Sequence, residues 1–484
     1  MKIKSLISGM FVYGGINALQ KTISVLLVPI YLRALSQGDF GALDILLSLK
    51  AFMILMFMLQ IESSVSRFYY QAERNHQLKE FISSHLWFLA LVLGCGGLLL
   101  LLSSSYFVNY FIPSVKNNTL LVMIIGLTLI PRGWTTVLLV ILRFKDWKFK
   151  FGVAGILDTL TTTTLAVILV VIARWGIMGV LVGQLIGATV TSVYLLMVLR
   201  RDILFKISFE NLRESLPYGL YLVPAIFFGW AQAYLNRFLM RLSGFELESI
   251  AIYALAFKFS LFITLAISAF KLIWQPEAMK AIGKEGSRDF YARVFHMYTS
   301  AMLVMGGVVI LFAKPLIRII APPSYLPAAT LVPFFIVASI IGCSGIFLGF
   351  GISISKKTFW SSFSVFWGAV VNAAILLLGV NHYGVWAVVA GYMGGIVLTT
   401  GISFLAAHSL YEIPYQKASL LGLLLASVLF CCYPFFDAMG FPNWSCLPFI
   451  LSVILLSLLS ADQKDVRKVW QIFMSQLPPA KRVT

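Results

Sequence analysis

Apolar runs, mostly 20 to 28 residues long and joined by short polar connections, recur along the whole chain. A helix needs roughly 20 residues to cross a ~30 Å hydrocarbon core, so each run is long enough to span a bilayer. The pattern predicts fourteen transmembrane helices, at 6–33, 40–66, 80–104, 118–143, 151–173, 176–199, 215–241, 249–275, 290–312, 329–354, 358–379, 384–406, 417–436 and 443–460. The longest connections, 199–215 and 313–328, hold under twenty residues each and leave little chain for a soluble domain. The predicted fold class is therefore all-α and polytopic.

The seventh run restarts the pattern of the first. Ser5-Leu6 with Gly9 is echoed by Ser215-Leu216 with Gly219, and Gly41 falls opposite Ala251 at the same offset of 210. Six spans per repeat with one orientation make a parallel repeat, and transporters of that type bind substrate near the midplane between halves. The predicted organisation is a six-helix unit over 1–205, a second over 206–410, and two extra helices with a tail over 411–484. Pro29, Pro131, Pro217 and Pro224 fall inside spans and predict bends where helix hydrogen bonds are lost. Gly183 with Gly187, Gly345 with Gly349, and Gly391 with Gly395 have the small-residue spacing of closely packed membrane helices.

Composition agrees with the pattern: 60% of the 484 residues are hydrophobic and 12% charged, where soluble domains are about 45–50% apolar. A net charge of +18 would suggest nucleic acid in a soluble protein, but here its placement matters more. Of 37 Lys and Arg, 25 fall on the side shared by both termini, 6 on the other side and 6 inside spans. The positive-inside rule then places both termini in the cytoplasm. Basic clusters such as Arg143, Lys145, Lys148 and Lys150 are expected to meet lipid headgroups. The start, Met1-Lys2-Ile3-Lys4, lacks a small-residue cleavage site and reads as the beginning of the first span. The five cysteines lie within or at the edges of spans without metal-ligand spacing and read as packing residues.

Six bases sit inside predicted spans: Lys21, Lys50, Arg132, Arg237, Lys258 and Lys271. A charge at the centre of a membrane helix costs about 2.5–3.5 kcal/mol on insertion scales, so such residues usually face a bundle interior or a water-filled cavity. Only Asp44, Glu62 and Asp158 accompany them, which points to an internal site for an anion. Lys21, Lys50 and Arg132 lie at depths that agree to within about 5 Å at a rise of ~1.5 Å per residue. Tyr13, Asn17, Gln20, Lys21 and Ser24 make one polar helix face at spacings of three and four. Gln232, Asn236, Arg237 and Lys258 are expected to extend the cavity outward. Arg237, about 13 Å from its span centre, is also placed to snorkel, as is Lys271 on the face of Ser260, Thr264 and Ser268. Asp44 and Asp158, the latter opening a polar stretch with Thr159 and Thr161 to Thr164, either exchange a proton or Na⁺ or form static ion pairs with Lys21 or Lys50.

Other chemistry has no signal in the sequence. There is no G-x-x-x-x-G-K-[ST] phosphate loop, no H-E-x-x-H, and no ligand spacing among the five histidines. No metal, cofactor, nucleic-acid partner or enzymatic activity is expected, although a membrane glycosyltransferase or polymerase remains an alternative class.

Several stretches occur together: Glu62-Ser63-Ser64-Val65-Ser66-Arg67-Phe68-Tyr69-Tyr70, Arg143-Phe144-Lys145-Asp146-Trp147-Lys148, Trp274-Gln275-Pro276, and Leu35-Ser36-Gln37-Gly38-Asp39-Phe40-Gly41. They resemble polysaccharide flippases of the multidrug/oligosaccharidyl-lipid/polysaccharide exporter superfamily over about the first 290 residues. The resemblance implies a V-shaped bundle of two six-helix lobes. It also implies that undecaprenyl-pyrophosphate-linked oligosaccharide, for O-antigen, capsule or a related polymer, crosses a bacterial inner membrane by alternating access coupled to H⁺ or Na⁺. Membrane lipids, a polysaccharide polymerase and a chain-length regulator are the partners it suggests. The nearest competitor is a peptidoglycan-precursor flippase. A cationic-drug exporter is disfavoured because its cavity should be acidic.

Overall fold

A computed structural model describes residues 3–438; the predicted span 443–460 lies outside them. Among the described residues every regular element is helical, and eleven helices are long and apolar enough to cross a membrane. Thirteen of the fourteen predicted spans coincide with helices.

The first group comprises α1 (Ile3–Ala34), α2 (Gln37–Met58), α3 (Ile61–Arg74), α4 (Leu78–Phe111), α5 (Asn118–Phe144), α6 (Lys148–Val167) and α7 (Ile177–Leu199). Then follow α8 (Phe209–Leu242), α9 (Leu247–Lys258), α10 (Ser260–Ala281), α11 (Ser287–Ile320), α12 (Ala328–Leu348), α13 (Phe350–Ile354), α14 (Phe359–Tyr383), α15 (Val385–Leu410) and α16 (Lys417–Ala438). The α1–α2 connection is a tight turn. Ser36 ends it by accepting the Asp39 N–H at 3.1 Å, which caps α2.

The prolines do not break the helices. Pro29, Pro131, Pro217 and Pro224 all lie inside continuous helices, as neighbouring groups in a membrane bundle can re-satisfy the backbone. The breaks fall elsewhere, within the spans 40–66, 249–275 and 329–354, at Leu59–Gln60, Phe259 and Gly349. Leu59 and Gln60 hold φ of 48° and 53°, a left-handed conformation costing roughly 1–2 kcal/mol per residue without glycine. Packing holds the break in place: the Gln60 carbonyl accepts from the N–H groups of Ser63 and Ser64, and α8 lies against it at Gly219. Beyond the break, Tyr69 stacks on Phe144 at 4.9 Å, so two of the stretches that carry the family resemblance pack together.

Two glycine pairs seat helices closely. A Cβ at Gly187 would stand 2.0 Å from Thr162 Oγ1 on α6, and one at Gly395 would stand 2.5 Å from the Gly368 carbonyl on α14. These close approaches bring α7 onto α6 and α15 onto α14.

The helix α8 ties the two groups together. Near its start the Leu204 and Ser208 N–H groups donate to Ser83 and Ser84 on α4, both at 2.7 Å. Gln71 on α3 donates to Glu214 at 2.6 Å, and Ser215 lies 2.7 Å from His85 Nε2. Its other half packs on α14 and α15, where Gln232 donates to Thr399 at 3.1 Å and accepts from Asn372 through its carbonyl at 3.3 Å.

Candidate functional site

A cavity of about 440 Å³ opens among α1, α2, α5, α6 and α7, with Lys258 of α9 at its margin. Its charged lining is Asp44, Lys50, Arg132, Asp158 and Lys258, and its neutral polar lining includes Gln20, Ser24, Thr128, Thr159 and Gln184. Nothing in a lipid-facing surface requires such groups; in a membrane interior they mark a water-filled path or a ligand site.

Lys50 projects from the middle of α2 and donates to Gln184 Oε1 on α7. Among the described residues it has no ion-pair partner. Arg132, from α5, places a single nitrogen on both Asp158 oxygens at 3.1 and 2.9 Å. Its side chain remains 42% exposed, so its other N–H donors are within reach of a cavity ligand.

A second charged group borders the cavity. Asp44 on α2 accepts from Arg237 Nε on α8 at 2.9 Å and lies 3.6 Å from Lys258 Nζ on α9. Arg237 is 1% exposed. Its guanidinium is boxed by the rings of Tyr234, Tyr253 and Phe257, with centroids 5.1, 5.2 and 4.5 Å away, and it donates to the Ala233 carbonyl. Cation–π contact and a charge-assisted bond replace the hydration this cation has lost.

This triad sits in a seal between the two helix groups, near the end that carries few Lys and Arg. Arg33 donates to the Ile319 carbonyl, and Gln37 to the Glu248 carbonyl at 3.3 Å. Phe40 meets Tyr325 edge to face at 6.0 Å. At Gly41 the α2 backbone comes so near α9 that a Cβ would stand 2.0 Å from the Leu247 carbonyl oxygen and 3.2 Å from the Ala251 nitrogen. The positions matched by the 210-residue offset therefore meet face to face.

Several expected cavity residues are elsewhere. Lys21 does not line the cavity: its Nζ donates to Ser268 on α10 at 2.9 Å. Ser268 belongs to the polar face singled out with Lys271, whose side chain is exposed. Arg237 does not snorkel, and Asp44 and Asp158 pair with neither Lys21 nor Lys50. Gln232 and Asn236 are buried in the packing of α8, Asn236 donating to the Tyr253 hydroxyl at 3.1 Å. Gln20 lines the cavity as expected, and the side chain of Asn17 lies outside those described. Gln184 and Thr128 were not singled out from the sequence. A lone amide in the apolar run 176–199 was the available signal for Gln184; Thr128 gave none.

Around the cavity four cations, Lys50, Arg132, Lys258 and Arg237, face two carboxylates. The excess is positive, and Lys50 and Arg132 are the two cations not committed to the seal. Arg offers a planar fork and Lys a point charge, a combination that binds phosphate or carboxylate through charge-assisted bonds.

Residues 30–330 match the family described as polysaccharide biosynthesis protein. The chain belongs to that family. Among curated proteins no sequence matches, so the remaining comparisons are of structure. The chain is similar to the lipid II flippase MurJ in an inward closed conformation at a TM-score of 0.63 and 13% identity, covering 95% of this chain and 98% of that one. It is similar to an inward-facing multidrug resistance MATE transporter of the MOP superfamily at 0.65 and 16%, covering 80% and 94%. The Vibrio cholerae MATE transporter VcmN aligns at 0.56 and 12%, covering 84% and 96%. At these identities the likeness is one of fold. The chain is thus a polysaccharide biosynthesis family member with many helices long and apolar enough to cross a membrane, and its fold is shared with these membrane transporters.

Proposed function

We propose that the protein is a flippase that carries an oligosaccharide linked to a polyprenyl diphosphate, for O-antigen, capsule or a related surface polymer, across a bacterial inner membrane. The observation that carries this reading is the cavity, where Lys50 and Arg132 are available to an anion inside a fold of transporter type and a family of polysaccharide biosynthesis. On this reading the basic end is cytoplasmic, with both termini there, and the triad seal closes the periplasmic end. The diphosphate enters from the cytoplasmic leaflet and is gripped by Lys50 and Arg132. The two halves of the chain then rock about the site, and parting of Asp44 from Arg237 and Lys258 opens the periplasmic side.

Asp44 is the natural coupling group in this scheme. Protonation of its carboxylate, or its capture by Na⁺, removes the charge that holds two cations across the seal. Asp158 plays the matching part inside the cavity, because an anion that takes over Arg132 leaves Asp158 free to bind a cation.

Replacing Lys50 or Arg132 by Ala in the native cell removes charge-assisted bonds worth about 1.5–3 kcal/mol each. The expected result is at least a roughly tenfold fall in surface polymer with lipid-linked intermediate accumulating inside, read by extraction of labelled lipid. Normal polymer in both variants would remove the cavity from the mechanism.

A further inference from the structure

Ser24 on α1, Thr128 on α5 and Thr159 on α6 all line the cavity, and all three have spent their proton in the same way. Ser24 Oγ donates to the Gln20 carbonyl, Thr128 Oγ1 to that of Ile124 and Thr159 Oγ1 to that of Gly155, each at 2.7 Å. A hydroxyl has one proton and two lone pairs, so one that donates into its own helix has only acceptor capacity left for anything else. Asp158, an acceptor-only carboxylate when ionised, lines the same wall. Beside the donor region of Lys50 and Arg132, the cavity thus has three acceptor hydroxyls on three helices, among further lining hydroxyls at Tyr31, Thr162 and Thr163.

The two regions suit different chemistry. A diphosphate presents acceptor oxygens, which Lys50 and Arg132 complement and which the hydroxyl wall does not. The wall complements a ligand dense in O–H donors, and a sugar ring is such a ligand. A volume of about 440 Å³ is in the range of small-molecule sites, ~300–1,000 Å³, large enough for the sugars next to the diphosphate and too small for a long glycan.

We infer that Ser24, Thr128 and Thr159, with Asp158, form a sugar-reading wall that selects glycosylated over bare lipid diphosphate by accepting hydrogen bonds from the hydroxyls of the first sugars. The inference rests on the flippase reading and adds a specificity to it: the cations hold what every such lipid shares, and the wall reads what distinguishes a loaded lipid from an empty one. Thr128 and Thr159 come from separate helices, so the wall needs the packed bundle and no short motif encodes it.

The test measures binding of two probes to the purified full-length protein: polyprenyl diphosphate without sugar, and the same lipid bearing a short neutral oligosaccharide. The wild-type protein is expected to prefer the glycosylated probe. In Thr128→Val/Thr159→Val, which keeps side-chain shape and removes both hydroxyls, the ratio of the two affinities falls about tenfold, as the loss of two hydrogen bonds predicts. Thr128→Ser/Thr159→Ser keeps the hydroxyls and the preference, which separates the wall's chemistry from a merely structural role. Equal binding of both probes to wild type, or an unchanged ratio in the Val variant, overturns the wall and leaves the flippase reading standing. Failure of wild type to bind either lipid overturns the flippase reading and the wall with it.

Discussion

Asp44→Ala is expected to destabilise the protein by about 3–5 kcal/mol, because it leaves a buried charge without its counterion. Arg237 is 1% exposed, and its remaining contacts are one carbonyl and three ring faces. None of these carries a negative charge. Removing the cation as well, in Asp44→Ala/Arg237→Met, removes the cause of the penalty, so the double variant should recover most of the stability lost in the single one. Lys258→Ala should cost less than Asp44→Ala, since Lys258 is partly exposed and Asp44 keeps Arg237. Thermal unfolding of purified protein in detergent checks the order. Asp44→Ala melting with the wild type would mean that the Arg237 charge is compensated by something other than the triad.

Gly41→Ala should wedge the same seal from the backbone side. The added carbon would stand 2.0 Å from the Leu247 carbonyl oxygen and 2.9 Å from its carbon. These are backbone atoms of a helix and cannot rotate away, so α9 itself has to shift. Overpacking of this kind costs typically about 1–3 kcal/mol, which lowers the closed population by about 5- to 150-fold relative to states with the seal open. Cysteines at Gln37 and Glu248, which touch at 3.3 Å, report closure by crosslinking in a background without the five native cysteines. Crosslinking should drop steeply in Gly41→Ala. In Gly15→Ala, where a Cβ meets nothing within 4 Å, it should hold. Equal crosslinking in both would mean that α9 adapts and that the close approach does not set the closed state.

The spans were legible because a bilayer imposes a length: about 20 apolar residues are needed whatever the fold, and eleven helices among the described residues are long and apolar enough to meet it. The fold class and the placing of six bases within apolar runs came with it. Helix breaks were not legible. The sequence marked bends at prolines, and Pro131 and Pro224 sit in continuous helices, whereas the left-handed pair Leu59–Gln60, without a proline, interrupts the second predicted span. That break is held by packing against Gly219, a contact over 150 residues away in sequence.

Spacing along each helix grouped the charges by expected depth, but it carried no information on rotation. Residue number along a helix gives distance from the membrane surface, so Lys21, Lys50 and Arg132 were grouped by depth. Which way each points depends on the turn of a helix that is apolar nearly all round, since lipid and protein interior make similar demands on side chains. Lys21 turns toward α10 and Ser268, whereas Lys50 turns toward α7 and Gln184. Arg237 looked free to snorkel because the aromatic box that holds it and Asp44, its counterion, come from three helices. The repeat offset that equated Gly41 with Ala251 carried more than expected, since the two positions face each other across the seal.

Movement of a lipid-linked oligosaccharide from one leaflet to the other can be followed in liposomes. Purified protein is reconstituted with polyprenyl-diphosphate oligosaccharide on both leaflets, and the fraction reached by a glycosidase added outside is followed with time. Wild-type protein should make the inner pool accessible without altering the lipid-linked oligosaccharide chemically, and Lys50→Ala/Arg132→Ala should slow the transfer at least about tenfold. Transfer no faster than in protein-free liposomes, or an equal rate in the double variant, would mean that the protein does not flip this lipid through the Lys50–Arg132 cavity.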